Sequence, residues 1–224
     1  MLTTKPKKSN LYILRTKDKY LKFVQSSHIL KTTKRSVVSN NYKKWKNNYL
    51  IIDSNDFLIL PLELPNYLKK INIENTLGVE KKMKKKTSTL KNIKFLFFYA
   101  LEEIPEPIKK VYHISEILIE EFQDDNNSSN REIYIVLLNS KLHICIVENK
   151  DLIFYNQFEY TKDDYLKYIL LTFEEFNLDK NVSKLNILDS NENFRKVKKE
   201  MKMYFKNINL YKKSIFEIIE SYYE

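Results

Sequence analysis

The sequence predicts an α/β (α+β) chain of two half-units, each a β-meander followed by β-α-β elements with helices on the sheet faces. Three observations carry that expectation. Residues 132–160 hold three apolar, β-branched and aromatic runs separated by short polar turns, the pattern of a meander. After residue 161 the apolar residues recur at helical spacing instead. A fainter series of short apolar runs occupies residues 11–60, so the first half reads as a weaker copy of the second.

In the first half, residues 11–14, 20–24 and 28–31 predict three strands, and the polar, basic stretch 32–48 a loop. Residues 49–52 and 57–60 predict a hairpin around Asp53-Ser54-Asn55-Asp56. Pro61 suits the first position of a helix, expected over 61–71. Residues 78–86 read as a basic loop, 91–101 as a strongly apolar strand, 102–110 as a short helix containing Pro105 and Pro107, and 111–114 as a strand. Ser115 is placed to cap a helix over 116–122.

In the second half, 124–130 is a polar loop. Strands follow over 132–138, 142–147 and 152–160, with turns at Asn139-Ser140-Lys141 and Glu148-Asn149-Lys150-Asp151. Thr161 is expected to cap a helix whose first turn holds Asp163 and Asp164, where the macrodipole favours anions. Tyr165, Leu166, Ile169, Leu170 and Phe173 form its buried stripe, and Asn177 its C-terminal stop. A strand at 185–188, a helix at 192–205 capped by Ser190, a strand at 208–211 and a helix at 214–223 complete the order. Two lobes follow, residues 1–114 and 115–224.

Composition excludes several activities. Gly78 is the only glycine in 224 residues, where average usage is about 7%. Walker loops and dinucleotide fingerprints need glycines so that backbone N–H groups approach phosphates, and a nucleophile elbow needs them beside its serine. One cysteine, Cys145, rules out a disulfide within the chain and a thiolate metal cluster. The apolar run 95–101 is far shorter than the ~20 residues of a membrane-spanning helix. The lysine-rich residues 1–10 precede no apolar segment, so they do not read as a signal peptide. A cytoplasmic location is expected.

Formal net charge is +10, unevenly spread. Residues 1–100 carry 22 basic and 6 acidic side chains, and residues 101–224 carry 17 and 23. Such asymmetry points to an anionic partner. The densest run, Lys81, Lys82, Lys84, Lys85 and Lys86, is a candidate partner- or anion-binding patch. It makes RNA or ribosome association an alternative function. Against that, the chain has only four arginines, and base reading favours Arg for its bidentate geometry. Abundant Lys, Asn, Ile, Tyr and Phe beside scarce Gly, Ala and Pro match codons rich in A and T.

Other constellations are weaker. Asp163/Asp164 and Glu174/Glu175 are paired carboxylates that read as a helix start and a solvated face. Asp124 and Asp125 lie in the polar loop with no ligand near in sequence. His143 and Cys145 share one strand face, which supplies two metal ligands at most. His113 follows a tyrosine in an apolar context and reads as structural. Phe216, Tyr222 and Tyr223 fit either partner docking or core cover.

The stretch from Arg131 to Asp179, with its FYNQFEY segment at 154–160 and Asp164-Tyr165-Leu166 beyond it, resembles an uncharacterised Bacteroidota family of the actin-like fold. FLILPLEL at 57–64 is similar to that family's strand–proline–helix junction, and residues 94–110 and His113 fit its later first-half elements. The likeness covers about residues 50–211. It relates the chain to the type IV pilus assembly protein PilM and the cell-division protein FtsA, and implies two actin-like (ribonuclease H-like) lobes of the ASKHA class. ATPases of that fold hold phosphates at one hairpin turn per lobe, with a carboxylate for magnesium or water. The corresponding turns here are Arg15-Thr16-Lys17-Asp18-Lys19 and Asn139-Ser140-Lys141. Neither has a glycine, and the second has no carboxylate; Lys17 and Asp18 are the residues suited to a phosphate and a metal. Leu188-Asp189-Ser190-Asn191 lacks the glycine pair of an adenosine pocket. The resemblance therefore implies a pseudo-ATPase with no catalytic residue, cofactor or metal. Its expected partner is a protein, such as a short peptide of a membrane-anchored one. A true nucleotide-binding ATPase is the third reading.

Overall fold

The computed structural model describes residues 10–16, 19–24, 27–34, 47–63, 83–100, 108, 110–127, 129–161, 164–189 and 194–223. The chain divides into two compact units, Met1–Glu116 and Ile117–Glu224.

The first unit contains β1 (Leu11–Arg15), β2 (Lys19–Val24), β3 (Ser27–Lys34), β4 (Asn48–Ile52), β5 (Phe57–Pro61), β6 (Met83–Leu90), β7 (Ile93–Ala100) and β8 (Lys110–His113). Its main sheet runs β3-β2-β1-β4-β8. The first three strands form an antiparallel meander, and β4 and β8 join in parallel. Tyr12 anchors this sheet, stacked on Phe23 at 5.1 Å and on Tyr49 at 5.2 Å. A separate antiparallel sheet, β5-β7-β6, is inserted in the chain between β4 and β8.

Helix α1 (Ile114–Asp125) leads into the second unit. That unit holds β9 (Glu132–Leu138), β10 (Lys141–Glu148), β11 (Asp151–Glu159), α2 (Tyr165–Glu175), β12 (Lys184–Asp189), α3 (Phe194–Met201), β13 (Ile208–Leu210) and α4 (Ile215–Ser221). Its sheet runs β11-β10-β9-β12-β13. The order third, second, first, fourth, fifth is the order of the first unit's main sheet, so both halves repeat one topology. One face of this sheet, with Ile133, Ile135, Ile144 and Ile187, packs with Ile169 and Phe173 of α2 and Val197 and Met201 of α3. On the other face, Tyr134 stacks on Phe122 of α1 at 4.3 Å.

Local chemistry explains the helix ends. Asn177 has φ 50°, and the N–H groups of Asn177 and Leu178 bond to the carbonyls of Glu174 and Phe173. This is a Schellman stop with Asn in the place usually taken by Gly. Ser214 and Glu217 form a capping box at the start of α4.

Several expectations need correction. Residues 49–52 and 57–60 do not form a hairpin: β4 lies between β1 and β8, and β5 pairs with β7 in another sheet. All five residues of β4 are buried, as befits an interior parallel strand. Pro61 closes β5 rather than opening a helix, because an edge strand tolerates a missing N–H; most of the expected helix lies outside the described residues. The expected basic loop at 78–86 becomes strand from Met83, and β6 pairs with β7 along its whole length. Lys110 belongs to β8, and the rest of the expected 102–110 helix is outside the described residues apart from residue 108. Thr32 to Lys34 extend β3. Asp124 and Asp125 end α1 instead of opening a loop. Thr161 does not cap α2; the N-cap is Asp164, whose carboxylate accepts from the Thr161 hydroxyl.

Candidate functional site

Of the two turns singled out in the sequence, the second is a described turn in the structure. β1 and β2 are antiparallel neighbours, with Arg15 paired with Tyr20 at the end where the first turn falls in the sequence. Thr16 is buried there, and Lys17 and Asp18 lie outside the described residues. The second turn is Asn139-Ser140; Lys141 is already in β10, paired with Leu138, and is buried. The first of its two residues, Asn139, has φ 56°. Tyr160 closes over this turn, its backbone N–H donating to the Ser140 carbonyl at 2.9 Å and its hydroxyl to the Asn139 carbonyl at 3.2 Å. The turn thus carries no carboxylate, and its carbonyl oxygens are engaged within the fold.

The lysine run separates into two kinds of residue. Lys81 and Lys82 lie outside the described residues. Lys84 and Lys85 are exposed on β6. Lys86 turns inward: its Nζ donates to the Val111 carbonyl at 2.9 Å and sits 3.6 Å from the centre of the Tyr112 ring. Burial holds its ammonium below the usual lysine range, with Glu116 opposing that shift. Lys86 is therefore a tie between the inserted sheet and β8, not a solvated member of the patch. Lys84 and Lys86 share one face of the strand, so alternation does not separate them; the contacts of Lys86 with Val111 and Tyr112 do.

His113 is structural, as expected. Its Nε2 lies 3.1 Å from the Ser54 carbonyl, and its ring packs among Phe57, Phe95 and Phe97. His143 and Cys145 are both buried. The His143 Nδ1 meets the Tyr155 hydroxyl at 2.8 Å. Burial pushes the imidazole down to about 3, and pushes the Cys145 thiol up. No group of three or more His, Cys, Asp and Glu side chains able to hold a metal lies among the described residues. Glu174 and Glu175 are exposed at the end of α2. Asp125 accepts from Lys212, while the buried Tyr211 hydroxyl donates to Glu121 at 2.7 Å. Phe216, Tyr222 and Tyr223 are half-buried.

A family described as "Protein of unknown function (DUF3822)" matches residues 5–208. The chain belongs to the DUF3822 family. No curated protein matches it. Among solved structures, a Bacteroides thetaiotaomicron protein with actin-like ATPase fold and unknown function shares 18% identity at TM-score 0.76, covering 99% of both chains. A PilM–PilN type IV pilus biogenesis complex matches at 8% identity and TM-score 0.54, over 95% of this chain and 90% of that one. The cytoplasmic domain of EpsL, an inner membrane component of the Vibrio cholerae type II secretion system, matches at 7% and TM-score 0.50, over 95% and 93%. The DUF3822 chain has the actin-like fold.

The FYNQFEY segment that carried the resemblance is architectural. Phe154 packs on Phe176 at 4.9 Å, Phe158 stacks on Tyr168 at 4.5 Å, and Tyr160 meets Tyr165 edge-on at 5.7 Å. These contacts fasten α2 to β11, while Tyr155 faces His143 on the opposite side. The sequence marked this segment as distinctive without showing that Tyr160 also closes the Asn139-Ser140 turn. Tyr160 and Asn139 stand 21 residues apart, and no local pattern joins them.

Proposed function

We propose that this chain is a non-catalytic actin-like-fold protein, a pseudo-ATPase, that serves in the cytoplasm as a scaffold for a protein partner. The observation that carries the reading is the β9–β10 turn. An actin-like ATPase needs backbone N–H groups open to a phosphate and a carboxylate for magnesium or water. Asn139-Ser140 offers no glycine and no carboxylate. Fold alone assigns no chemistry, so the turn weighs more than the kinship. Two proteins of this fold belong to assemblies, PilM with PilN and EpsL in a secretion system, which favours a protein partner here. The described residues include no helix long and apolar enough to cross a membrane.

Calorimetric titration of the full chain with Mg-ATP tests the proposal. The expected result is no saturable heat and no phosphate release. Saturable binding followed by release of phosphate overturns it.

A further inference from the structure

Residues 195–206 concentrate positive charge in a half of the chain that is otherwise acidic. They hold six basic side chains and one acidic, whereas residues 101–224 as a whole carry 17 and 23. Val197 and Met201 mark the inward face of α3. Arg195, Lys199 and Lys202, at i, i+4 and i+7, therefore share the outward one; the Lys202 N–H bonds the Lys198 carbonyl at 3.0 Å and continues the helical turn. All three are exposed, as are Lys196 and Lys206. Among the described residues no side-chain hydrogen bond or ion pair engages Arg195, Lys199, Lys202 or Lys206. The one acid, Glu200, accepts from the Tyr165 hydroxyl and pairs with Lys196 at 3.7 Å.

Large apolar side chains stand exposed at the end of this stripe. Met203 is 74% exposed and Tyr204 44%. Val182, 71% exposed, comes from the turn before β12. The two segments are tied together. The Lys206 N–H bonds the Lys180 carbonyl at 3.1 Å, and the Asn207 side-chain amide bonds the carbonyls of Asn181 and Val182 at 3.1 and 3.0 Å. Phe205 is buried against Phe173 at 4.7 Å, so the exposed tips project from a fixed base.

Single exposed apolar side chains are ordinary. Three of them beside four unpaired cations match a surface whose outer layer is anionic and whose inner layer is apolar, as in an anionic bilayer. RNA offers the anionic layer, and bases to stack on Tyr204, but stacking makes no use of Met203 or Val182.

We propose that this end of the second unit rests on an anionic phospholipid surface. Arg195, Lys199, Lys202 and Lys206 meet the lipid phosphates, while Val182, Met203 and Tyr204 enter the boundary between headgroups and acyl chains. Such a peripheral contact neither requires nor excludes a protein partner.

The full chain is sedimented with vesicles of phosphatidylcholine alone and of phosphatidylcholine mixed with phosphatidylglycerol, at low and at high salt. Saturable binding to the mixed vesicles is expected at low salt, with little binding to phosphatidylcholine and loss at high salt as the charges are screened. K199E/K202E is expected to weaken binding by about tenfold or more, and V182S/M203S by about three- to tenfold. Both variants change only exposed side chains, so both should melt with the parent chain. Absence of binding, or equal binding to the two kinds of vesicle, overturns the bilayer contact. So does undiminished binding of K199E/K202E, which places the contact on another basic surface, or of V182S/M203S, which leaves the apolar tips without a role. A uridine-rich RNA oligonucleotide that binds more tightly than the vesicles, and is lost in K199E/K202E, assigns the surface to RNA and overturns the bilayer contact as well.

Discussion

Lys91, Asn139, Asn149, Lys150 and Asn177 hold φ between 31° and 66°, the left-handed region where glycine is the usual occupant. Asn tolerates that region through local hydrogen bonding; Lys has no such compensation. The sharpest case is Asn149-Lys150, with φ 52° and 66°, which closes β10 onto β11 as a primed hairpin turn. Lys150→Gly creates the Asn-Gly pair that such a turn prefers. It should stabilise the chain by about 0.5–1 kcal/mol, the relief of left-handed strain less the entropy glycine loses on folding. A urea midpoint at unchanged slope reads the gain; a fall in the midpoint would show that Lys150 is held by more than its turn. His143 yields a second prediction. Burial lowers its folded pKa to about 3, from 6.5. Between those values the unfolded chain binds a proton that the folded one refuses, so stability is complete above about pH 6.5 and is lost as pH falls toward 3. His143→Leu should flatten that acid limb, as followed by denaturation midpoints from neutral to acid pH.

At the level of elements, the lysine run and the aromatic segment exchange the roles their composition suggests. Lys86 packs on Tyr112 and bonds the Val111 carbonyl. Lys86→Ala should therefore cost about 1–2 kcal/mol, whereas Lys84→Ala on the exposed edge should stay within about 0.5 kcal/mol, in parallel urea unfolding experiments. Phe158→Ala removes the stack on Tyr168 that holds α2 against β11; about 2–3 kcal/mol should be lost, somewhat less than for a fully buried phenylalanine. The second unit was readable because its strands and helices have clean periods: the 132–160 meander and the α2 stripe of Tyr165, Ile169 and Phe173 lie where alternation and helical spacing put them. The first unit was harder for physical reasons. β4 is buried on both faces and so shows no alternation. β5 looked like its partner because strands adjacent in sequence often pair. β6 carries lysines on both faces, so it shows no apolar alternation, and Lys86 differs from Lys84 on the same face only through its contacts with β8. The second candidate turn was legible as a turn, but the Tyr160 clasp on Asn139 and Ser140 depends on strand pairing across the sheet.

Across the whole molecule, one topology is repeated in two units of unlike charge, and among the described residues only the first has a β-sheet insert between the fourth and fifth strands of its main sheet. The insert bears the exposed Lys84 and Lys85, while the second unit's turn is closed by its own tyrosine. On the proposed reading, a chain whose two candidate phosphate turns have no glycine, and whose second turn has no acid either, is expected to work through surfaces rather than turnover. Steady-state phosphate release from Mg-ATP by the full chain tests this most directly. A rate no higher than that of buffer alone is predicted. Sustained release that scales with protein concentration and is lost on Asp18→Ala, at the acid of the first turn, would contradict it.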